Sequence, residues 1–552
     1  MSYVGPDSKP TYVSENPHRG SGQPRASRAL ELIVTLDGSL SHDPQAYLPR
    51  DRAVDQPPPP THAHLQTQDS GGLLRAVAHP MNRDWVVAIG LAALLAGGCA
   101  PSAPAQPDDP PGATLLFEGA RLILGDGGVI ENGAFLVEGD RILEVGSTGE
   151  VTAPPGATSI DLAGKTVMPA LIDAHAHLGY EGYTSWGSDN YSRENLIEHL
   201  ERYAYYGFGA VFSAGSDPED LAIEIQRAQR EGEVDGARFL FGAGMAPPGQ
   251  GPNNQFLGHA LAIAEETGMT VLRGIASEEE GRAAVREVSV KEIRFIKIWV
   301  DDRGGSQQKL RPAVYRGIIQ EALAHGIEVF VHQQNAQDMP DLLEAGVAGF
   351  LHGRLGSAMD DGLAAHIHDS GAFLIPNLGL GELRRERVGG DPFLQEATPP
   401  GVAARLGEAY DARERAGAAV AQGVAERAAE RERELREAFS RLLAADVDIV
   451  LGTDAGAVPD HFFGYTGHRE LEIFVRLGMT PMQAIVAATS RPAERLGLSE
   501  MGTIAPGKAA DFVVLDANPL EDIRNTRTIS RVYLRGREVD REGLRRRWTG
   551  RD

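Results

Sequence analysis

The sequence predicts an α/β protein that consists of a (β/α)8 TIM barrel and a small β-sandwich domain built from both flanks of the barrel. Between about residues 167 and 495, apolar strand-like runs alternate with amphipathic helical segments, a pattern typical of parallel strands joined by helices. At residues 113–166 and 496–540, short strand-like runs are separated by Gly, Asp and Asn turns instead. The flanks are therefore predicted to form one composite β-domain, followed by a C-terminal tail at 541–552.

The composition limits the kinds of partner and of site. A chain of 552 residues, 42% of them hydrophobic, is longer than one ordinary domain and can bury a large core. Its net charge of −24 argues against a nucleic acid as partner. Since Cys99 is the one cysteine, an internal disulfide and a thiolate metal site are excluded. Any metal ligands must be His, Asp, Glu or a modified Lys.

The N-terminal part of the sequence carries a candidate export signal. Residues 1–80 are rich in Pro, Gly and Ser, so we expect them to be disordered, or a spurious extension if translation begins at Met81. Residues 81–99 have a short apolar core and small residues before Cys99, and they resemble a bacterial lipoprotein signal peptide. The resemblance implies export to the periplasmic side as an outer-membrane lipoprotein, which contacts the membrane only through a lipid anchor on Cys99. The Pro-rich residues 100–112 are expected to serve as a tether.

The barrel prediction depends on a count of strands. Eight strands close a (β/α)8 barrel, and the chemistry of such barrels lies at the carboxyl ends of the strands. Between the last two candidates, apolar residues at helical spacing predict a long helix that packs one face on the barrel. The eight strand candidates are Met168–Ala174, Ala210–Ala214, Arg238–Gly242, Phe295–Val300, Glu328–His332, Gly349–His352, Ala372–Pro376 and Ile449–Thr453.

Six polar residues fall at the carboxyl ends of these strands or within them. His175 and His177 end the first strand one residue apart, so both side chains point to the same side and can reach one metal. The others belong to later strands: Lys297, His332, His352 and Asp454. Each alone has an ordinary structural explanation, such as a hydrogen bond to a neighbouring carbonyl or a helix cap. Their convergence on one face predicts a metal-dependent catalytic site.

With these residues the chain resembles the amidohydrolase superfamily of metal-dependent hydrolases, in the branch of imidazolonepropionase-like proteins and Xaa-Pro dipeptidases. The resemblance covers roughly residues 113–540. Residues 173–177 (DAHAH) match the strand 1 signature, and residues 451–454 (LGTD) match the strand 8 motif. Residues 501–511 are similar to the segment by which family members re-enter the β-domain.

The resemblance implies two divalent metal ions, with zinc the expected metal for nitrogen and oxygen ligands. His175, His177 and Asp454 are expected to hold the more buried ion, and His332 and His352 the more exposed one. Lys297 is expected to carry an N6-carboxylate that bridges both. A hydroxide between the metals then attacks a carbonyl, and the catalytic Asp454 passes its proton to the leaving nitrogen.

The substrate is less constrained by the sequence. Arg354 is a candidate for binding a substrate carboxylate, His259 lies in a Gly-His turn like that of some dipeptidase-like relatives, and Tyr191 is a candidate oxyanion donor. A salt bridge explains Arg354 equally well, and loop packing explains Tyr191 better.

We expect hydrolysis of a C–N amide bond in a small peptide or N-acyl amino acid. A lactone, cyclic amidine or phosphotriester is the alternative substrate for the same site, because a fold and a metal site do not fix the substrate. A non-catalytic exported binding protein is a second alternative, and the intact set of six polar residues argues against it. The sequence leaves an oligomeric assembly open.

Overall fold

The computed structural model describes residues 114–353, 355–382, 388–418 and 424–550. All of them belong to one compact unit, Ala93–Asp552. The predicted N-terminal extension (1–80), signal peptide (81–99) and tether (100–112) lie outside the described residues, as does Arg354. No helix in the described part of the chain is both long and apolar enough to cross a membrane.

The strands are numbered in chain order. They are β1 Thr114–Ile123, β2 Val129–Glu138, β3 Arg141–Ser147, β4 Thr158–Asp161, β5 Thr166–Pro169, β6 Leu171–Ala176, β7 Phe208–Ser213, β8 Arg238–Phe241, β9 Ala243–Ala246, β10 Leu272–Gly274, β11 Phe295–Trp299, β12 Glu328–Gln333, β13 Gly349–His352, β14 Phe373–Ile375, β15 Asp448–Ile449, β16 Phe512–Leu515, β17 Ile529–Leu534 and β18 Arg537–Glu538.

The α-helices follow the same convention. They are α1 Arg193–Tyr205, α2 Glu219–Arg230, α3 Asn254–Thr267, α4 Glu278–Val290, α5 Pro312–Ala324, α6 Met339–Ala345, α7 Asp361–Ser370, α8 Gly379–Glu382, α9 Pro392–Gln395, α10 Val402–Ala418, α11 Val424–Ala444, α12 Tyr465–Leu477, α13 Pro481–Ala487, α14 Ser490–Arg495 and α15 Arg541–Thr549.

Strands from both flanks of the chain pair in one mixed sheet. Its order is β18-β17-β16-β5-β1-β2-β3, with β4 paired to β1. Alternate residues of these strands meet on one face of the sheet, where Phe117 stacks on Phe135 and Phe512 stacks on Tyr533. A smaller cluster that includes Leu116 is buried on the opposite face. Residues at the start and at the end of the described chain therefore share one core.

The remaining strands are parallel and form two sheets. The orders are β6-β7-β8 and β10-β9-β11-β12-β13-β14-β15. Gly242 alone separates β8 from β9, and its N–H donates to Ser213 O in β7. Helices α1, α2, α4, α5, α6 and α7 alternate with these strands along the chain, which gives the predicted α/β architecture.

The predicted first strand, Met168–Ala174, is wrong as a single strand. Ala170 donates its N–H to Asp511 O, next to the mixed sheet, whereas Leu171 donates to Gly207 O, next to the parallel sheet. The chain thus passes from one sheet to the other within one residue. The predicted last strand is also shorter, because only Asp448–Ile449 pairs regularly with β14.

Four phenylalanines fill the space between the parallel strands. Phe212, Phe295, Phe330 and Phe373 contact one another with ring centroids 5.0–5.4 Å apart. Side chains two residues apart on a strand share a face. Lys297 and His332, which lie two residues beyond Phe295 and Phe330, therefore stand one layer above this aromatic floor.

Two further segments bear on the sequence predictions. The charged region before β15 contains α11, which buries Phe439 and Leu442 on one face. The predicted C-terminal tail contains α15. Its Trp548 is buried under the guanidinium of Arg202 and against the ring of Tyr205.

Candidate metal centre

The six predicted polar residues lie together at the carboxyl ends of the parallel strands. His175, Lys297, His332 and His352 belong to β6, β11, β12 and β13. His177 follows β6, and Asp454 follows β15. The first two histidines, the lysine and the aspartate are all at most 5% exposed. A buried group of this kind is stable only where its charges and lone pairs find partners.

Asp454 is the centre of the cluster. Its Oδ1 lies 3.3 Å from Nε2 of His175 and 3.1 Å from Nε2 of His177, and its Oδ2 lies 3.8 Å from Nε2 of His352. Oδ1 of Asp454 and Nε2 of His175 are buried without a hydrogen-bond partner among the described residues. Ligand atoms of His175, His352 and Asp454 all lie within 4.8 Å of one another, so this group could bind a metal ion.

Burial affects the protonation of the cluster. It lowers the pKa of His175 and of His332 well below the usual range, which favours the neutral imidazole. Burial alone would raise the pKa of Asp454, but the imidazoles of His175 and His352 hold it well below its ordinary value. Neutral imidazoles and an ionised carboxylate are the forms that bind metal.

The far nitrogen of each of three histidine rings is held by another side chain. Nδ1 of His175 lies 3.0 Å from Oδ1 of Asn377, and Nδ1 of His177 lies 2.7 Å from Oγ of Ser216. The third pair joins Nε2 of His332 to Oδ2 of Asp301 at 3.0 Å. Such contacts fix the ring orientation and leave the other nitrogen free for the cluster.

The sequence predictions missed these three partners. A usable signal was present, because each follows a parallel strand at an even spacing. Ser216 lies four residues after Phe212, Asn377 four after Phe373, and Asp301 four after Lys297. The alternation that predicts Lys297 and His332 therefore also points to the residues that orient the histidines.

Lys297 occupies a close-fitting slot. It is 1% exposed, and burial lowers its pKa well below the ordinary lysine value. Gly215 lines the slot with φ of +78°, and a Cβ there would come within 2.7 Å of Cβ of Lys297. The neutral amine is thus the favoured form, and it is the form that reacts with carbon dioxide.

The three predicted substrate residues are placed differently. Tyr191 donates its hydroxyl to Oδ1 of the buried Asp217 at 2.9 Å, and His259 accepts the N–H of Ser188 at 3.0 Å through Nδ1. Both contacts therefore hold the segment that follows β6, in which Ser188 and Tyr191 lie. The position of Arg354 lies outside the described residues.

Comparison with known proteins gives the family. The model of the Amidohydrolase family matches residues 166–539, more than half of the chain. The chain belongs to the amidohydrolase family. As the sequence predicted, this amidohydrolase is an enzyme, a metal-dependent hydrolase that acts on carbon–nitrogen bonds.

Similar proteins have several substrates. An imidazolonepropionase of Streptomyces griseus is 24% identical over 413 residues, 71% of this amidohydrolase and 89% of that protein. An ochratoxinase of Aspergillus niger is 24% identical over 439 residues, 74% of this chain and 82% of that one. The structure of a Xaa-Pro dipeptidase with methionine bound in its active site aligns with a TM-score of 0.58 at 24% identity, covering 77% of this chain and 99% of that one. This last likeness concerns the fold alone.

Proposed function

We propose that this amidohydrolase cleaves the amide bond of small peptides or N-acyl amino acids at a binuclear metal centre. The observation that carries the proposal is the environment of Asp454. Its Oδ1 faces two imidazole nitrogens within 3.3 Å in a buried site, without a hydrogen bond to a described residue. Lone pairs that converge in this way are expected around a cation.

We expect the six residues to hold two divalent ions. His175, His177 and Asp454 would hold the more buried ion, and His332 and His352 the more exposed one. Lys297, neutral because it is buried, would bridge them as an N6-carboxylate. Zinc is the expected metal, since the ligands are nitrogen and oxygen atoms.

The chemistry divides between the metals and the chain. When bound, divalent ions lower the pKa of a water molecule and polarise a carbonyl group. Asp454 accepts the proton of the attacking water and returns it to the leaving nitrogen. Ser216, Asn377 and Asp301 keep the imidazoles oriented, so that the site needs little rearrangement during the reaction.

We also propose that the parallel strands close into a (β/α)8 barrel and that the mixed sheet belongs to a β-sandwich domain. Closure is supported by hydrogen bonds between the first and last strands: Ala174 N–H donates to Leu451 O, and Thr453 N–H donates to His175 O. At the other junction, β8 pairs with β7 while β9, one residue later, pairs with β11. The shared phenylalanine layer is the packing expected inside a closed barrel.

The test combines metal content with activity. The chain without residues 1–112 is compared with Lys297→Ala and Asp454→Asn, and with the half-buried controls Lys165→Ala and Asp522→Asn, which lie outside the candidate site. We expect about two metal ions per chain, fewer in Lys297→Ala, and loss of dipeptide and N-acyl amino acid hydrolysis in Asp454→Asn. Both controls should match the wild type.

Other outcomes separate the alternatives. Two metals without amide hydrolysis would favour a lactone, cyclic amidine or phosphotriester substrate. One metal that Lys297→Ala leaves in place would contradict the bridging role of Lys297.

We propose in addition that the protein is exported and lipidated on Cys99. The support is the sequence pattern of residues 81–99. Labelling with a fatty-acid analogue in a bacterial host should mark the wild type and spare Cys99→Ser. Native peptides from residues 1–80, detected by mass spectrometry, would contradict the proposal that translation begins at Met81.

A further inference from the structure

The loop that follows β11 is organised around Asp301, beside the metal centre. Oδ1 of Asp301 accepts the backbone N–H of Arg303 at 3.0 Å. Oδ2 lies 3.0 Å from Nε2 of His332 and 3.4 Å from Nε of Arg303. One carboxylate therefore fixes both a candidate metal ligand and the turn that carries Arg303.

The turn holds Arg303 in an unusual backbone conformation. Its φ is +52°, in the left-handed region that a non-glycine residue rarely adopts. Such a conformation persists only where its surroundings impose it, and it occurs often at binding sites. Here it is imposed by the hydrogen bonds of Asp301 and by Gly304, whose N–H donates to Oδ1 of Asp302 at 3.0 Å.

The positive charge of Arg303 acts on the metal centre. Burial first, and then the charges of Arg303 and its neighbours, lower the pKa of His332. The same guanidinium also contributes to the lowered pKa of Lys297 and of His352, after burial. The side chain is 20% exposed, so the guanidinium lies at the edge between the buried cluster and the outside.

Most of the donors of Arg303 have no partner in the described chain. An arginine carries five N–H donors. The ion pair with Asp301 is the contact its guanidinium makes, and Nε is buried without a hydrogen bond to a described residue. Asp301 meanwhile serves His332 and the loop backbone. Nε already faces Asp301, so the four N–H donors on the terminal nitrogens are available to a ligand that accepts hydrogen bonds.

We propose that Arg303 binds a carboxylate of the substrate, so that the enzyme selects amides that carry a free carboxylate close to the scissile bond. A carboxylate accepts two parallel N–H···O bonds from a guanidinium and compensates its charge, which a neutral amide cannot do. The selection of substrates by Arg303 rests on the proposed amide hydrolysis, but carboxylate binding by Arg303 can be measured without it.

The test uses ligands that cannot be hydrolysed as amides. Isothermal calorimetry compares N-methanesulfonyl-L-leucine with N-methanesulfonyl-L-leucinol, which differ only in the carboxylate, on the metal-loaded enzyme. A third ligand, 3-(isobutylsulfamoyl)propanoate, carries the carboxylate on the acyl side instead. We expect the wild type to bind one of the carboxylates about 10- to 100-fold more tightly than the alcohol. Which one it prefers assigns the side of the scissile bond.

The variants are Arg303→Gln and Arg303→Lys, with the exposed Arg286→Gln as a matched control. Arg303→Gln should lose the preference while its metal content stays unchanged, and Arg303→Lys should keep a part of it. Arg286→Gln should behave as the wild type. A preference that survives in Arg303→Gln, or a wild type that binds the alcohol as tightly, would overturn the inference. If the wild type shows the preference yet cleaves no amide, the proposed reaction fails and the role of Arg303 in binding stands.

Discussion

Asp173 and Thr453 join the first and the last strand of the parallel set through two hydrogen bonds. Thr453 donates its N–H to Oδ1 of Asp173 at 3.0 Å and its hydroxyl to Oδ2 at 2.6 Å. Asp173 is fully buried, and it also accepts the hydroxyl of Tyr203 at 2.7 Å. His175 lies two residues after Asp173, and Asp454 directly follows Thr453, so the pair links the two chain segments that carry these candidate ligands.

We expect Thr453→Val to weaken both the fold and the metal site. The isosteric side chain removes one donor from a buried carboxylate, which costs about 1–3 kcal/mol in the free energy of unfolding. Displacement of Asp454 should also lower the affinity for metal. The control is Thr489→Val, which removes a buried hydroxyl that donates to Ile485 O at 2.7 Å. Urea unfolding and metal analysis check the prediction, and equal metal content in both variants would contradict it.

Ser216→Ala tests the residues that orient the histidines. The substitution removes Oγ of Ser216, which lies 2.7 Å from Nδ1 of His177. The imidazole ring of His177 is then free to rotate away from Asp454. We expect metal affinity to fall about 10- to 100-fold. Titration with a chelator measures it. Ser370→Ala, which removes a hydroxyl that donates to Ile367 O, should leave the affinity unchanged. An unchanged affinity in Ser216→Ala would mean that packing alone orients the ring.

The sequence points to the candidate metal ligands because they follow a simple rule of strand alternation. Features that depend on pairing between distant segments escape it. Alternation along apolar strands places Lys297 and His332 on the inner face without any knowledge of the fold. The transfer of the chain at Ala170 depends instead on Asp511, which lies in the opposite flank. No local pattern contains that information.

Sequence patterns do not point to Arg303, for a different reason. Its position depends on a left-handed turn that Asp301 imposes, and turns of this kind with a non-glycine residue have no reliable sequence signal. The sequence predicts a carboxylate-binding arginine at Arg354, which lies outside the described residues, so that role stays a prediction.

The buried carboxyl group of Glu181 should make the free energy of unfolding depend on pH. Burial raises its pKa from 4.5 to about 7, although its oxygens accept the N–H groups of Tyr183 and Asp460. Because the folded state binds this proton more tightly than the unfolded state, the stabilisation is complete below pH 4.5 and is lost as the pH rises through about 7. Glu181 alone should therefore lower the free energy of unfolding by about 3 kcal/mol across this window, whereas buried histidines with a lowered pKa, such as His199 and His468, act in the opposite direction.

Glu181→Gln should remove this part of the pH dependence. The amide resembles the protonated acid, so the difference in free energy of unfolding between the two proteins should shift by about 3 kcal/mol in favour of the variant between about pH 4.5 and pH 8. Urea unfolding at a series of pH values measures the difference between the two proteins. Glu138→Gln, at an exposed position of β2, is the matched control and should follow the wild type. Parallel curves for wild type and Glu181→Gln would show that Glu181 stays ionised throughout.

A substitution at Gly456 tests whether close packing against His177 fixes the backbone near Asp454. It adopts φ of +86°, and a Cβ there would overlap the carbonyl oxygen of His177. Gly507 has nearly the same φ, +83°, but open space around it. Gly507→Ala should therefore cost only the left-handed strain, about 1–2 kcal/mol. Gly456→Ala carries the same strain and must also displace His177, so we expect it to lose metal as well as stability. Thermal unfolding and metal analysis of the two variants separate the effects, because strain alone would lower the melting temperature of both and leave their metal content equal.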